Sequence, residues 1–103
     1  MSDHPLKIVE GSALGAAQKK DLLNRLARIE GQLRGVQKLI ALAAVPDDCD
    51  AVAQQMAAAR KALDRSFVHL LTSSMVHQTG AADNVEQARA SAGKLAALLD
   101  KFA

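Results

Sequence analysis

The chain has no tryptophan, no tyrosine, two phenylalanines, two prolines and a single cysteine in 103 residues. The missing rings argue against a protein that stacks single-stranded DNA or RNA bases on its surface. One cysteine excludes an internal disulfide and is compatible with a reducing compartment. No apolar run approaches the roughly 20 residues that cross a bilayer. The N-terminus, MSDHPLKIVEGSALG, lacks the charged, apolar, small-residue order of a signal peptide. A soluble, cytoplasmic protein with no membrane partner is therefore expected. Three histidines and one cysteine at these spacings assemble no nucleophile, base and orienting group, and no glycine-rich phosphate loop is present, so no enzyme is expected.

What is abundant is alanine, with 21 residues that inflate a hydrophobic content of 50%. Alanine-faced helices bury little area per residue, so one copy of this chain has a thin core and gains stability by packing on further copies. The net charge is only +2, but it is unevenly spread. Lys19, Lys20, Arg25, Arg28, Arg34 and Lys38 face only Asp21 and Glu30 over the same stretch. Such a stripe suits a polyanion, and an ordinary solvated helix face is the alternative.

Residues 1–16 hold Pro5, Gly11 and Gly15, show no period, and read as a flexible N-terminal arm; residues 17–103 read as one three-helix domain. Leu22, Leu26, Ile29, Leu33, Val36 and Ile40 step by four and three, the seam of a long first helix. Gly31 and Gly35 inside it each cost roughly 1 kcal/mol against Ala. They suggest close approach by a neighbouring backbone, with sequence drift as the competing explanation. Pro46, Asp47 and Asp48 break the chain and supply a cap and negative charge for a second helix. That helix has the seam Val52, Met56, Ala59, Leu63, Phe67 and Leu70, extending back to Cys49 and forward to Ser74 and His77. Gly80 is expected to end it, and Asp83 or Asn84 to cap a shorter third helix through Val85, Leu95 and Phe102. No strand alternation or hairpin dipeptide appears, so the fold is expected to be all-α, with two long antiparallel helices and a shorter third.

Cys49 and His77 lie about 42 Å apart along one helix at a rise of about 1.5 Å per residue, too far to share a site. Two second helices paired antiparallel about a two-fold axis would bring Cys49 of one chain to Ser74 and His77 of the other, giving two equivalent inter-subunit sites.

The segments LLNRLARIEGQLRGVQKLI, residues 22–40, and CDAVAQQMAAARKALDRSF, residues 49–67, resemble the CsoR/RcnR/FrmR family of bacterial repressors. The resemblance spans roughly residues 19–102, with a longer loop between the first two helices. It implies a three-helix protomer that assembles as a dimer and a dimer of dimers, a homotetramer that binds double-stranded operator DNA without a helix-turn-helix. In the family a metal ion, sulfur species or formaldehyde releases the DNA. Arg25 and Arg65 match family arginines that bind the operator, and Arg28, Arg34, Lys19 and Lys20 would extend that surface toward phosphates. Cys49 matches the sensor cysteine. The family's other metal ligands fall here on Ser74 and Gln78, so the usual Cu(I) set is incomplete, because hydroxyl and amide are poor Cu(I) ligands. The second cysteine of persulfide sensors is also absent, and Ser2 stands where formaldehyde sensors present a proline amine.

Each candidate has a bland counterpart. His77 follows Ser74 by one turn and could supply the missing imidazole to a metal held by Cys49, or it is a helix-end histidine favoured by the negative end of the dipole. His4 in the arm could close over the site or be incidental, and His69 reads as structural or solvated. Asp47, Asp48 and Asp50 could hold a divalent ion with Cys49 or simply cap the helix. The helix N-terminus favours the Cys49 thiolate and the flanking aspartates oppose it. Arg60, Lys61 and Arg89 read as solubilising. The expected function is a DNA-binding repressor released when a formaldehyde-like electrophile or a metal ion engages Cys49 at the dimer interface. The alternative is a degenerate helical bundle that binds a protein partner without sensing.

Overall fold

We describe residues 6–103 from a computed structural model; residues 1–5, His4 among them, lie outside the described residues. After an irregular segment come three helices, α1 (Ala16–Leu42), α2 (Asp48–Ala81) and α3 (Val85–Phe102), with no strand among the described residues. The expected all-α order is present. α1 starts a turn and a half ahead of its first buried leucine, and there the Gln18 side chain reaches back to accept the Gly15 N–H at 2.8 Å.

The turns differ in detail from expectation. Asp47 occupies the N-cap position of α2, yet its side chain makes no capping bond. Asp48 closes the turn instead: its carboxylate accepts the Ala44 and Val45 N–H groups at 2.9 and 3.1 Å. Those two bonds hold its carboxyl below the ordinary value of 3.8. Gly80 does not end α2, which runs on to Ala81, and no glycine takes a left-handed conformation. The helix stops because Ala82 turns extended, at φ −69° and ψ 138°. Of the two cap candidates for α3 the structure selects Asn84, whose side chain accepts the Gln87 N–H at 2.8 Å, while Gln87 accepts the Asp83 N–H in return.

α2 packs on both neighbours, while α1 and α3 do not pack on each other. The start of α1 meets the late part of α2 (Asp21 with His69, Gln18 with Ser73), so these two run antiparallel. The end of α3 folds back to the middle of α2, where Phe102 meets Phe67 edge to face at 6.2 Å. The helices thus lie side by side in one layer, 61 × 31 × 13 Å, with a thin dimension close to the width of a single helix.

Within the layer α1 buries half of its seam, whereas of the six apolar seam residues of α2 only Ala59 is buried, and Ser66 and Ser73, outside the expected seam, complete its buried row. Leu22, Ile29 and Val36, seven residues apart, are buried against Ala59, Ser66 and Ser73, also seven apart. The buried residues of α2 are small, which lets the helices approach. Ser66 satisfies its hydroxyl locally by donating to the Ala62 carbonyl at 3.1 Å. The seam residues Leu26, Leu33 and Ile40 on α1 and Met56, Leu63 and Leu70 on α2 stay 39–55% exposed. Among the described residues, and apart from the helix's own backbone, no group comes closer than 3.9 Å to a Cβ at Gly31 and none within 4 Å at Gly35, so the close approach expected there is not made by them inside one protomer.

Asn84→Ala should cost about 1 kcal/mol of stability through loss of the α3 cap. Ile29→Ala, which removes a buried side chain from the α1–α2 seam, should cost about 2–5 kcal/mol. Urea unfolding followed by far-UV circular dichroism at one fixed protein concentration measures both.

Candidate nucleic-acid interface and sensor positions

Helical rotation sorts the surface residues into two opposite faces. At about 100° per residue, Arg25, Arg28 and Gln32 lie to one side of buried Ile29, and Leu26 and Leu33 to the other. Around Ser66 on the antiparallel α2, Ala62, Arg65 and His69 fall on the arginine side, and Leu63 and Leu70 on the leucine side. Two adjoining surface hollows bear this out, one lined by Arg25, Arg28, Ala62 and Arg65, the other by Arg25, Lys61, Arg65 and His69. One face of the α1–α2 layer is basic, and the opposite face is apolar.

The centre of the basic face is organised by Asp21. Its Oδ2 accepts Arg25 Nε at 2.9 Å from one turn along α1, and His69 Nε2 lies 3.0 Å from the same oxygen across the helix pair. The Arg25 hydrogen bond, aided by the charges of Arg25 and His69, holds the Asp21 carboxyl below its ordinary value of 3.8 against the opposing effect of desolvation.

The six basic residues of α1 do not form one stripe. Arg25 and Arg28 join Arg65 on the basic face. Lys20 and Lys38 lie nine residues either side of Ile29, half a turn away on the outer edge, and Arg34 lies close to that edge. The Lys19 ammonium donates to the Val9 carbonyl. Lys61 and His69, set aside in the sequence as solvated residues, belong to the basic face. The four-residue steps Lys61, Arg65 and His69 were the signal that could have found them.

The sensor candidates are not brought together in one protomer. Cys49 is exposed in the first turn of α2, and Ser74, His77 and Gln78 lie in its last turns. Ser74 is buried; His77 and Gln78 are half-buried under the segment that precedes α1. His77 Nε2 lies 3.1 Å from the Gly11 carbonyl, and Gln78 donates to the Ala13 carbonyl at 3.4 Å. With Nε2 engaged on a carbonyl, Nδ1 is the nitrogen left to accept or to ligate. It sits over Gly15, where an added Cβ would come within 3.3 Å of it. The aspartates around Cys49 do not converge on it, since Asp48 is taken by the turn. Among the described residues no group of three potential metal-ligating side chains gathers within the chain. Along the helix, Cys49, Ser74 and Gln78 nonetheless share one side, within about 40° of one another, and it is the side of Leu63 and Leu70.

Residues 18–101, nearly the whole helical part, match the family described as metal-sensitive transcriptional repressor. The chain belongs to this family. Its resemblance to the CsoR/RcnR/FrmR repressors thus holds across all three helices, and the family is one of repressors rather than enzymes. No curated protein and no solved structure shows a significant match. No helix among the described residues is long and apolar enough to cross a membrane.

Gly15→Ala should loosen the segment over His77, because the new methyl crowds His77 and Gln18 at 3.3 Å and Ala is a poor N-cap. Hydrogen exchange by mass spectrometry should show faster exchange across residues 11–15 with the helices unchanged. Asp21 and Asp48 both have lowered folded-state pKa values, so their bonds are complete above about pH 4 and are lost as the pH falls through those values. Carboxyl titration by NMR should place both midpoints below 3.8.

Proposed function

We propose that this protein is an operator-binding transcriptional repressor that works as a homodimer and a dimer of dimers, released from double-stranded DNA when a small inducer engages Cys49. The observation that carries the reading is the single helical layer with a basic face on one side and an uncovered leucine face on the other. A layer one helix thick cannot bury its own leucines, and a second copy turned over onto the leucine face covers both sets at once. Antiparallel pairing of α2 on that face sets Cys49 beside Ser74, His77 and Gln78 of the partner subunit, while Arg25, Arg28 and Arg65 stay open to duplex phosphates. Lys20 and Arg34, on or near the outer edge of α1, serve as outlying phosphate contacts, while Lys19 is turned to the leucine side and held on the Val9 carbonyl.

The donor set narrows the inducer. Cys49 with Ser74 and Gln78 offers one thiolate, a hydroxyl and an amide, which does not fit Cu(I). Cys49 with His77 Nδ1 offers thiolate and imidazole, a pair suited to a borderline divalent ion such as Zn(II) or Ni(II). An electrophile such as formaldehyde needs only the Cys49 thiol and a nearby amine, which the N-terminal arm would bring as its α-amino group. Either inducer couples reciprocally to DNA, so DNA weakens inducer binding by the factor that inducer weakens DNA binding. The exposed leucine face also fits the second reading, an adaptor that covers it with a different protein.

Fluorescence anisotropy on a duplex from the DNA upstream of its own coding sequence decides between the two. The repressor reading expects binding whose logarithm falls linearly with the logarithm of salt concentration, and release by one of Zn(II), Ni(II), Cu(I) or formaldehyde. Cys49→Ala should keep DNA affinity within about twofold and lose the release; loss of all DNA binding in that variant would sink the sensor role. Leu63→Glu, which puts a charge on the apolar face, should shift sedimentation toward the monomer and weaken DNA binding by at least about tenfold. Absence of salt-dependent duplex binding in the parent protein would favour the adaptor.

A further inference from the structure

The basic face holds one histidine. His69 follows Arg65 by one turn, is about one-third exposed, and touches the same Asp21 oxygen as Arg25. The charged groups that face it are Asp21 and Arg25 from α1 and Lys61, Asp64 and Arg65 from its own helix, and α3 contributes none to this hollow.

With His69 neutral, Nε2–H donates to Asp21, the other ring nitrogen presents a lone pair, and the Asp21–Arg25 pair sums to zero charge. A lone pair and a compensated arginine attract a phosphate weakly. When His69 takes up a proton it keeps the bond to Asp21, now as an ion pair, and the carboxylate is shared between two cations. The unit gains one positive charge, and the second ring nitrogen becomes a donor. A phosphate entering the hollow favours that protonated state over the neutral one.

Resting on the duplex-binding reading above, we infer that Asp21, Arg25 and His69 form a proton-linked phosphate-binding unit, in which His69 is a further DNA-facing residue that charges as the duplex binds. Binding then takes up a proton at His69. Affinity for duplex DNA rises as the pH falls through the range where histidines titrate, and DNA raises the His69 midpoint in return.

The test measures duplex affinity by anisotropy at pH 6 and pH 8, at constant ionic strength, for the parent protein and His69→Gln. The parent should gain roughly fivefold from pH 8 to pH 6, the size expected when DNA raises the histidine midpoint by about one unit. The salt slope should also steepen by about one phosphate equivalent. His69→Gln, which keeps an N–H donor for Asp21, should bind as the parent does at pH 8 and gain little at pH 6. In parallel, the His69 ring resonance of the parent, titrated by NMR with and without the duplex, should show a higher midpoint with DNA present. This readout needs no variant to fold, and a purely structural histidine would not move it. An undiminished pH response in His69→Gln, or a midpoint that DNA leaves unchanged, overturns the inference while leaving the repressor reading intact. Failure of the parent to bind the duplex at either pH overturns both.

Discussion

The constraint on which this structure turns is the α1–α2 seam, where three branched side chains of one helix meet three small ones of the other. Leu22, Ile29 and Val36 have only Ala59, Ser66 and Ser73 to pack against, so the helices can come close but enclose little volume. No described side chain is fully buried. A protomer held by so narrow a contact remains a sheet of helices rather than a ball, and its remaining leucines lie on one side because heptad spacing places them there. The uncovered face is therefore a direct product of the small residues in the seam, and so is the freedom of the opposite face to carry the arginines.

That division puts two surfaces of opposite character on the same pair of helices. Any rotation or slide of α2 that changes packing on the leucine side also changes the spacing of Arg65 and His69 from Arg25 across the layer. The polar links between the two helices, Asp21 to His69 and Gln18 to the Ser73 carbonyl, both lie toward the start of α1. Toward the end of α1 the pair is held by the buried Val36 and Ala59 and by the turn that Asp48 closes. The basic face is thus most firmly registered near Asp21, the end at which His77 and Gln78 also bond the segment preceding α1.

Much of this was legible in the sequence. Threes and fours in the apolar spacing placed all three helices, the antiparallel return and the third helix's start near Asn84. Periodicity alone did not show that Leu22, Ile29 and Val36 would be the buried half of the α1 seam, nor that Ser66 and Ser73 would line α2 in place of Leu63 and Leu70, because Leu22 and Leu26 look equivalent until the small residues of α2 choose one side. Asp47 and Asp48 looked alike as caps, and the turn geometry sent only Asp48 to the backbone, away from the helix end. Lys61 and His69 were overlooked because polar residues on a helix carry no periodic signal until the position of the buried face is known. The bonds from His77 and Gln78 to Gly11 and Ala13 join residues more than 60 positions apart and reach backbone carbonyls, which no side-chain pattern encodes.

The length of α2 carries a consequence of its own. Cys49 and Ser74 point to the same side only because the 25 residue steps from one to the other bring the helix round to nearly the same angle, about 20° short of complete turns. One residue added or removed between them would swing the far end by about 100° and take Ser74 off the side that Cys49 occupies. Seven residues would restore the side but move the two ends apart by about 10 Å. α2 therefore acts as a ruler as well as a scaffold, and its length is tolerant of substitution but not of insertion.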